Sequence, residues 1–324
     1  MFNGKSNQAM VNTMELLLSA LRAAAEVTRL RILGLLGHGE LTVSELVSIL
    51  DQSQPRVSRH LRLMVEAGLL ARFREGTWVF YRLADHGLQR QLINDLLPHI
   101  ESDSGDLARD LERLKLLRAE RATLAAEYFQ ENAEQWNEVR SLYVPELEVE
   151  KALIELAGEQ RNGNLLDVGT GTGRILEVFS ESISAGVGVD LSRDMLSVAR
   201  NELDAKSIEN CEVRLGDMYN LPVERGSKDL VIFHQVLHFA DDPLMAIKEA
   251  EKSLRAGGAL LIADFAPHQH EFLRDEHAHR RLGFSDEEVT SWAHGSALSY
   301  AENLTFKGDK LDVKVWRLEK GRES

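Results

Sequence analysis

Residues 165–173 read LLDVGTGTG, an apolar run that breaks into Gly169-x-Gly171-x-Gly173. Residues without side chains let the chain turn tightly and let a ligand approach its backbone. Similar short apolar runs recur at Gly186–Asp190, Glu212–Leu215, Asp229–Phe233 and Ala259–Asp264, with helical segments between them. This alternation predicts an α/β fold, a parallel sheet with helices on both faces. The glycine loop then falls at the carboxyl edge of the first strand, where open sheets of this kind bind ligands, with a helix beginning near Thr172. Two late runs without a helix between them, Leu298–Phe306 and Leu311–Leu318, read as an antiparallel hairpin at the sheet edge.

Three successive strands carry an acid at or near their ends. Asp167 precedes the glycines, Asp190 closes GVGVD, and Asp217 closes the third strand in RLGDMYNLP. Asp190 stands about twenty residues beyond the loop, the spacing of a carboxylate that accepts from both hydroxyls of a ribose. Asp217, beside Met218, is placed to receive an adenine amino group. For any one of these aspartates alone, helix capping is the other reading. The G-x-G-x-G order behind a carboxylate also differs from G-x-G-x-x-G, the loop that seats a diphosphate at a helix N-terminus.

The chain has 324 residues, 44% hydrophobic and 28% charged, with a formal net charge of −14. At ~150 residues per domain, this length predicts two domains. Residues 1–100 hold eleven Lys and Arg against nine Asp and Glu, net +2, which leaves −16 for the rest. The acidic total argues against a nucleic-acid coat or a polybasic membrane binder, while the first hundred residues retain the charge of a DNA-reading module. No apolar run approaches the ~20 residues of a membrane span, so no membrane partner and a cytoplasmic location are expected. One cysteine, Cys211, excludes an internal disulfide framework, a zinc site of several thiolates and arsenite-type chemistry.

The basic part has its own pattern. Thr13–Leu36 reads as two helices meeting near Val27. Thr42 or Ser44 can cap the helix Glu45–Leu50, and a further helix, Pro55–Ala67, opens with Pro in its first turn and stops at Gly68. Leu69–Phe73 and Trp78–Leu83 form a hairpin around Arg74–Thr77. Helices Gly87–Ile100 and Leu107–Glu134 follow, separated by ESDSGD. On the helix Pro55–Ala67, Val57, Leu61, Met64 and Val65 face the core. Gln54, Arg56, Ser58, Arg59, His60 and Arg62 lie on other faces or at its start. With Arg74 on the hairpin they make a DNA-facing inventory, since Arg pairs with guanine, Gln with adenine, and hydroxyls with phosphate. Residues 52–82 hold six Arg and two Glu, which favours a phosphate backbone over a plain charged surface.

The stretch from EVTRLRILGLL to GTWVFYRL, with its S-x-x-S-R-H-L helix, resembles the ArsR family of winged-helix repressors over about eighty residues. The resemblance implies a homodimer on an inverted-repeat DNA operator, held together by the module's terminal helices. It departs from metal-sensing members, because Leu41-Thr42-Val43-Ser44-Glu45 stands where a Cys-x-Cys would be, and Asp85, His86 and His99 only approximate a second family site. No metal site is expected.

Together with DLVIFHQVLHFADDP and LRAGGALLIADF, the glycine loop resembles the class I S-adenosylmethionine-dependent methyltransferases from about Tyr128 to the end. The resemblance implies a Rossmann-like seven-stranded sheet of order 3-2-1-4-5-7-6. It places Asp167, Gly169, Thr170, Gly171 and Gly173 at the methionine part of the cofactor, and Asp190 with Leu191 at the ribose. Asp217 and Met218 would hold the adenine, and His234 would stand near the reacting end as a candidate catalytic group. Tyr128 and Arg140 resemble a lid, an ordinary amphipathic helix being the other reading. The expected domains are a winged helix over 1–100, a helical linker over 101–127 and the methyltransferase fold over 128–324.

Neither the Asn/Asp-Pro-Pro-aromatic run of DNA amino-methyltransferases nor a Pro-Cys nucleophile is present. Phe233-His234-Gln235-Val236 stands at the first position, and Cys211 follows Asn210. The residues thus point to a regulator whose second domain binds S-adenosylmethionine or S-adenosylhomocysteine as effector, or to an enzyme that methylates a small molecule. The group His268, His270, His277 and His279 leaves three readings open: a metal site, a pocket wall or a solvated surface.

Overall fold

The computed structural model describes residues 13–84, 87–101, 105–132, 146–308 and 310–322. Contacts divide the chain into two compact units, Met1–Leu117 and Arg118–Ser324.

In the first unit, α1 (Thr13–Ala24) and α2 (Val27–Leu36) are separated by Glu26, whose carboxylate accepts the Arg29 amide and caps α2. Strand β1 (Leu41–Thr42) runs into α3 (Val43–Leu50), where Thr42 and Glu45 satisfy each other's backbone in a capping box. α4 (Gln54–Glu66) follows, and Gly68 at φ +72° turns the chain out of it. β2 (Leu70–Glu75) and β3 (Trp78–Leu83) pair from Leu70–Leu83 to Glu75–Trp78, so the wing tip is only Gly76–Thr77, with Gly76 at φ +58°. That register carries Arg74 and Glu75 into the strand, which ends two residues beyond the sequence reading. β1 joins β3 as a third strand, an element too short to leave a periodic signal.

α5 (Gly87–Glu101) and α6 (Asp106–Asn132) complete the unit. Ile32, Leu33, Leu46, Leu61 and Met64 form its core with Leu107 and Leu114 of α6. α6 crosses the division between the units. Its early part is also tied to α2 by charge: the Arg31 guanidinium donates twice to the Asp110 carboxylate, at 2.6 and 2.7 Å, and Asp110 is 1% exposed.

The second unit runs α7 (Glu146–Ala157), β4 (Asn164–Val168), α8 (Arg174–Phe179), β5 (Ala185–Asp190), α9 (Arg193–Ala205), β6 (Cys211–Leu215), β7 (Lys228–His234), α10 (Pro243–Ser253), β8 (Leu254–Phe265), α11 (Phe272–His277), α12 (Asp286–His294), β9 (Leu298–Phe306) and β10 (Val313–Lys320). The sheet order is β6-β5-β4-β7-β8-β10-β9, parallel except that β10 is antiparallel to both neighbours. Counted within this unit, the order is the 3-2-1-4-5-7-6 that the resemblance implies.

Alternate residues face opposite layers. Leu166, Val231, Leu260 and Ile262 pack with Ala246 and Ile247 of α10 and Trp292 of α12. Leu165, Leu230, Leu261 and Val315 pack with Leu153 and Leu156 of α7 and Phe179 of α8. Cover on both faces explains why the central strands read as unbroken apolar runs. α8 begins at Arg174, not near Thr172, because Gly173 is left-handed at φ +82° and a right-handed helix cannot include it.

The Arg31–Asp110 pair generates a test. Asp110→Ala should destabilise the first unit by ~3 kcal/mol, since it leaves a largely buried guanidinium without its carboxylate, whereas Arg31→Met with Asp110→Leu should recover most of that loss. Urea unfolding of the full chain, followed through the transition of this unit, measures both.

Candidate functional site

The glycine loop lies between the ends of β4, β5 and β7. Gly169, Gly171 and Gly173 all have positive φ, at +71°, +52° and +82°. The amides of Gly169 and Thr170 both donate to the Val189 carbonyl, at 2.7 and 3.1 Å, and the Thr170 hydroxyl donates to Asp167 Oδ2 at 2.6 Å. A Cβ on Gly169 would run into the Val236 side chain, and one on Gly188 into Thr170. At Gly169 and Gly188 the backbone therefore lies against the Val236 and Thr170 side chains at distances that only glycine permits.

Asp190 ends β5 beside this loop. Its Oδ2 accepts the Gly171 amide and its Oδ1 the Ser192 amide, both at 2.8 Å. A carboxylate has about four acceptor sites, so the Gly171, Ser192 and Leu191 amides do not fill it. Burial pushes the carboxyl above the usual range, against the lowering effect of the Ser192 and Gly171 amides. Leu191, next in sequence, is exposed.

Asp217 lies two residues past the end of β6, in a turn where its Oδ1 accepts the Tyr219 amide at 2.9 Å. The strand stops short of it, and Gly216 between them is hemmed by Pro222 and Val189. Met218 is half-buried against the core. His234 is the last residue of β7 and is buried. Tyr128 falls within α6 with its side chain outside the described residues, and Arg140 lies wholly outside them.

A second group of polar side chains stands at the ends of β7 and β8. His238, in a short 3-10 turn after β7, is 2% exposed, and its Nδ1 meets Asp264 Oδ1 at 2.7 Å. The same carboxylate accepts the amides of His238 and Phe265. The His238 ring stacks on His279, centroids 4.1 Å apart, with Phe239 at 4.1 Å and Phe265 at 5.1 Å.

The histidine run identified in sequence divides here. His279 is buried and His268 half-buried, both among these aromatic rings, while His270 is exposed. Among the described residues, no three His, Cys, Asp or Glu side chains are grouped to hold a metal ion. Sequence reading passed over His238 and Asp264. The available signal was a carboxylate closing the apolar run Ala259–Ala263, which needs a partner to be buried.

In the first unit α4 presents Gln54, Arg56, Ser58, Arg59 and Arg62 to solvent, with Arg74 exposed on the wing. His60 stands apart from them. It is turned toward Glu26 at 3.7 Å, and burial lowers its pKa from the ordinary value, against the pull of Glu26.

Residues 26–72 match the bacterial regulatory protein arsR family, and residues 159–309 match a methyltransferase domain. The chain joins an arsR-type helix-turn-helix to a methyltransferase domain. Over 63 residues, 19% of the chain, it is 54% identical to the arsenical resistance operon repressor of Escherichia coli, covering 54% of that protein. Over 170 residues, 51% of the chain, it is 26% identical to the methyltransferase YcgJ of Bacillus subtilis, covering 65% of it. These matches therefore span about half to two thirds of the curated relatives. A chain in the complex between the Haloferax volcanii Trm112 methyltransferase activator and a methyltransferase shares the fold at 19% identity, with a TM-score of 0.51 over 60% of this chain and 98% of that one. Among the described residues no helix is long and apolar enough to cross a membrane.

The buried histidines of the methyltransferase domain set an acid response. Burial, with the neighbouring His270 and His238, lowers His268 to about 4, and burial holds His279 well below its ordinary value. Between pH 6.5 and about 4 the unfolded chain binds protons that these rings refuse, so stability must fall as pH falls through that window. The slope for the half-buried His268 should stay below the ~1.4 kcal/mol per pH unit of one fully excluded proton. Thermal melts of the full chain should show this decline, and His268→Asn should make it shallower.

Proposed function

We propose that this chain is a DNA-binding transcriptional regulator of the ArsR type whose methyltransferase domain binds S-adenosylmethionine or S-adenosylhomocysteine, the ligand acting as effector on operator binding. The observation that carries the reading is Asp190. A carboxylate held by the Gly171, Ser192 and Leu191 amides, with acceptor capacity left and a glycine-rich loop beside it, suits a ribose diol and the chain of an amino acid. Asp217 and Met218 at the neighbouring strand end suit an adenine ring. Asp167 and Thr170 would fix the loop, and Leu191 would cover the sugar.

On the DNA side, the exposed row from Gln54 to Arg62 is the face that would enter the major groove, with Arg74 on the backbone. A homodimer is supported by α1, which leaves Met14, Leu16, Leu18 and Leu21 exposed. With its operator as partner, such a protein works in the cytoplasm. The absence of thiolates from residues 41–45 removes the metal input of related sensors, so the effector has to act through the attached domain. A second reading, methylation of a small molecule by the same domain, is favoured by the buried His238–Asp264 pair, an arrangement suited to proton transfer.

Two measurements test the proposal. Calorimetry should show binding of S-adenosylmethionine and S-adenosylhomocysteine, with a loss of ~1.5–3 kcal/mol in Asp190→Ala for each charged hydrogen bond removed. Equal affinity in the variant, or tighter binding of a nicotinamide nucleotide, defeats the assignment. Operator titrations with and without saturating S-adenosylhomocysteine should differ by ~1–3 kcal/mol, and linkage requires DNA to change ligand affinity by the same factor. Arg59→Ala should weaken specific binding by ~1–3 kcal/mol, whereas Arg74→Ala should act uniformly across sequences.

A further inference from the structure

We propose that the rings at the ends of β7 and β8 form a methyl-acceptor subsite for an uncharged aromatic hydroxyl compound, with His238 as the base that takes the hydroxyl proton. The inference rests on the adenosyl-binding reading above and adds a second ligand to the same domain.

The tautomer of a neutral His238 ring follows from its partner. An ionised carboxylate only accepts hydrogen bonds, so the 2.7 Å contact to Asp264 puts the hydrogen on Nδ1 and leaves the lone pair on Nε2. Asp264 also takes the His238 and Phe265 amides, which fixes the carboxylate, while the amides of Arg280 and Arg281 both donate to the His238 carbonyl at 2.9 Å. Ring, tautomer and backbone are all held, as an imidazole base requires.

The position is right for transfer. Gln235, one residue past β7, donates its amide to Ala263 at 2.8 Å, and Val236 blocks any side chain at Gly169. The segment 235–238 therefore starts against the glycine loop and ends at the His238–Asp264 pair.

The surroundings define the ligand. Nδ1 of His279, a side chain more than nine-tenths buried, has no hydrogen-bond partner, and neither has Nε2 of His268. Buried ring nitrogens of this kind call for a hydroxyl-bearing molecule. Both rings are kept neutral by burial, and the cations beside them are matched by acids, Arg274 by Glu271, Arg280 by Asp241 and Arg281 by Glu288. Asp264, the acid among them, is committed to His238. An anionic acceptor would therefore compete with these acids for the guanidinium groups, and an ammonium with His238 for Asp264. Phe239 and Phe265, packed on the histidine rings, give the site a lining suited to an aromatic body.

The step balances without another reactant. The acceptor oxygen forms its bond to the methyl carbon as the carbon–sulfur bond breaks, the sulfur keeps that electron pair, and the hydroxyl proton passes to Nε2 of His238. Asp264 stabilises the resulting imidazolium.

The test uses the full chain with saturating S-adenosylhomocysteine and 4-nitrophenol as the probe, whose phenolate band reports where its proton is. Wild type should bind the dye and hold it ionised below the pH at which the free dye ionises. His238→Phe, which keeps the ring in the stack, should reduce the ionised fraction by about tenfold, one unit in the apparent pKa. His238→Gln, which keeps a hydrogen bond to Asp264, should do the same and guards against a folding defect in the first variant. Labelled methyl transfer from S-adenosylmethionine to 4-methylphenol should fall ~100-fold in both variants. Dye that is equally ionised in wild type and variants, or that fails to bind while S-adenosylhomocysteine binds normally, overturns the acceptor subsite alone. Failure of S-adenosylhomocysteine to bind overturns the adenosyl reading and the subsite with it.

Discussion

A parallel sheet covered on both faces leaves little room for polar chemistry except at the carboxyl edge of its strands. Apolar side chains from α7, α8, α10 and α12 fill the two layers, so a charged group within a strand would lie in a dry interior. The glycine loop after β4, Asp190 after β5, Asp217 beyond β6, His238 beyond β7 and Asp264 near the end of β8 all stand along that edge. The covered sheet thus determines where this domain can hold a ligand, and the loops determine which ligand.

What was legible in the sequence was what the backbone requires locally. The three glycines declare themselves because each takes a left-handed φ, and Asp190 because a single acid closes an apolar run. Thr42 and Glu45 announce α3, being three residues apart and bonded to each other's amides. The wing was visible because its strands are joined by only two residues.

Pairings between distant positions were not legible. His238 and Asp264 are 26 residues apart, so nothing near either names the other, and His234 drew attention by its place at a strand end. His60 reads as a DNA-facing residue within its own helix, yet it turns to Glu26 across the fold. The histidine run looked like one cluster in sequence and divides in space, because the chain folds His268 and His279 inward and leaves His270 in solvent. Residue type and spacing predict local geometry, while burial and partners depend on tertiary contacts.

Asp241 has a consequence of its own. Arg118 and Arg121, near the middle of α6, both reach this carboxylate, which it shares with Arg280. These ion pairs lie within the second unit, and each partner retains some exposure. Contacts of this type are weakened by dissolved salt, whose screening length is ~8 Å at physiological ionic strength, while apolar packing such as that of Leu107 and Leu114 is not. One helix is thus fastened toward its start by apolar packing and the buried Arg31–Asp110 pair, and further along by partly exposed charge. The ionic composition of the surroundings will loosen the second fastening before the first.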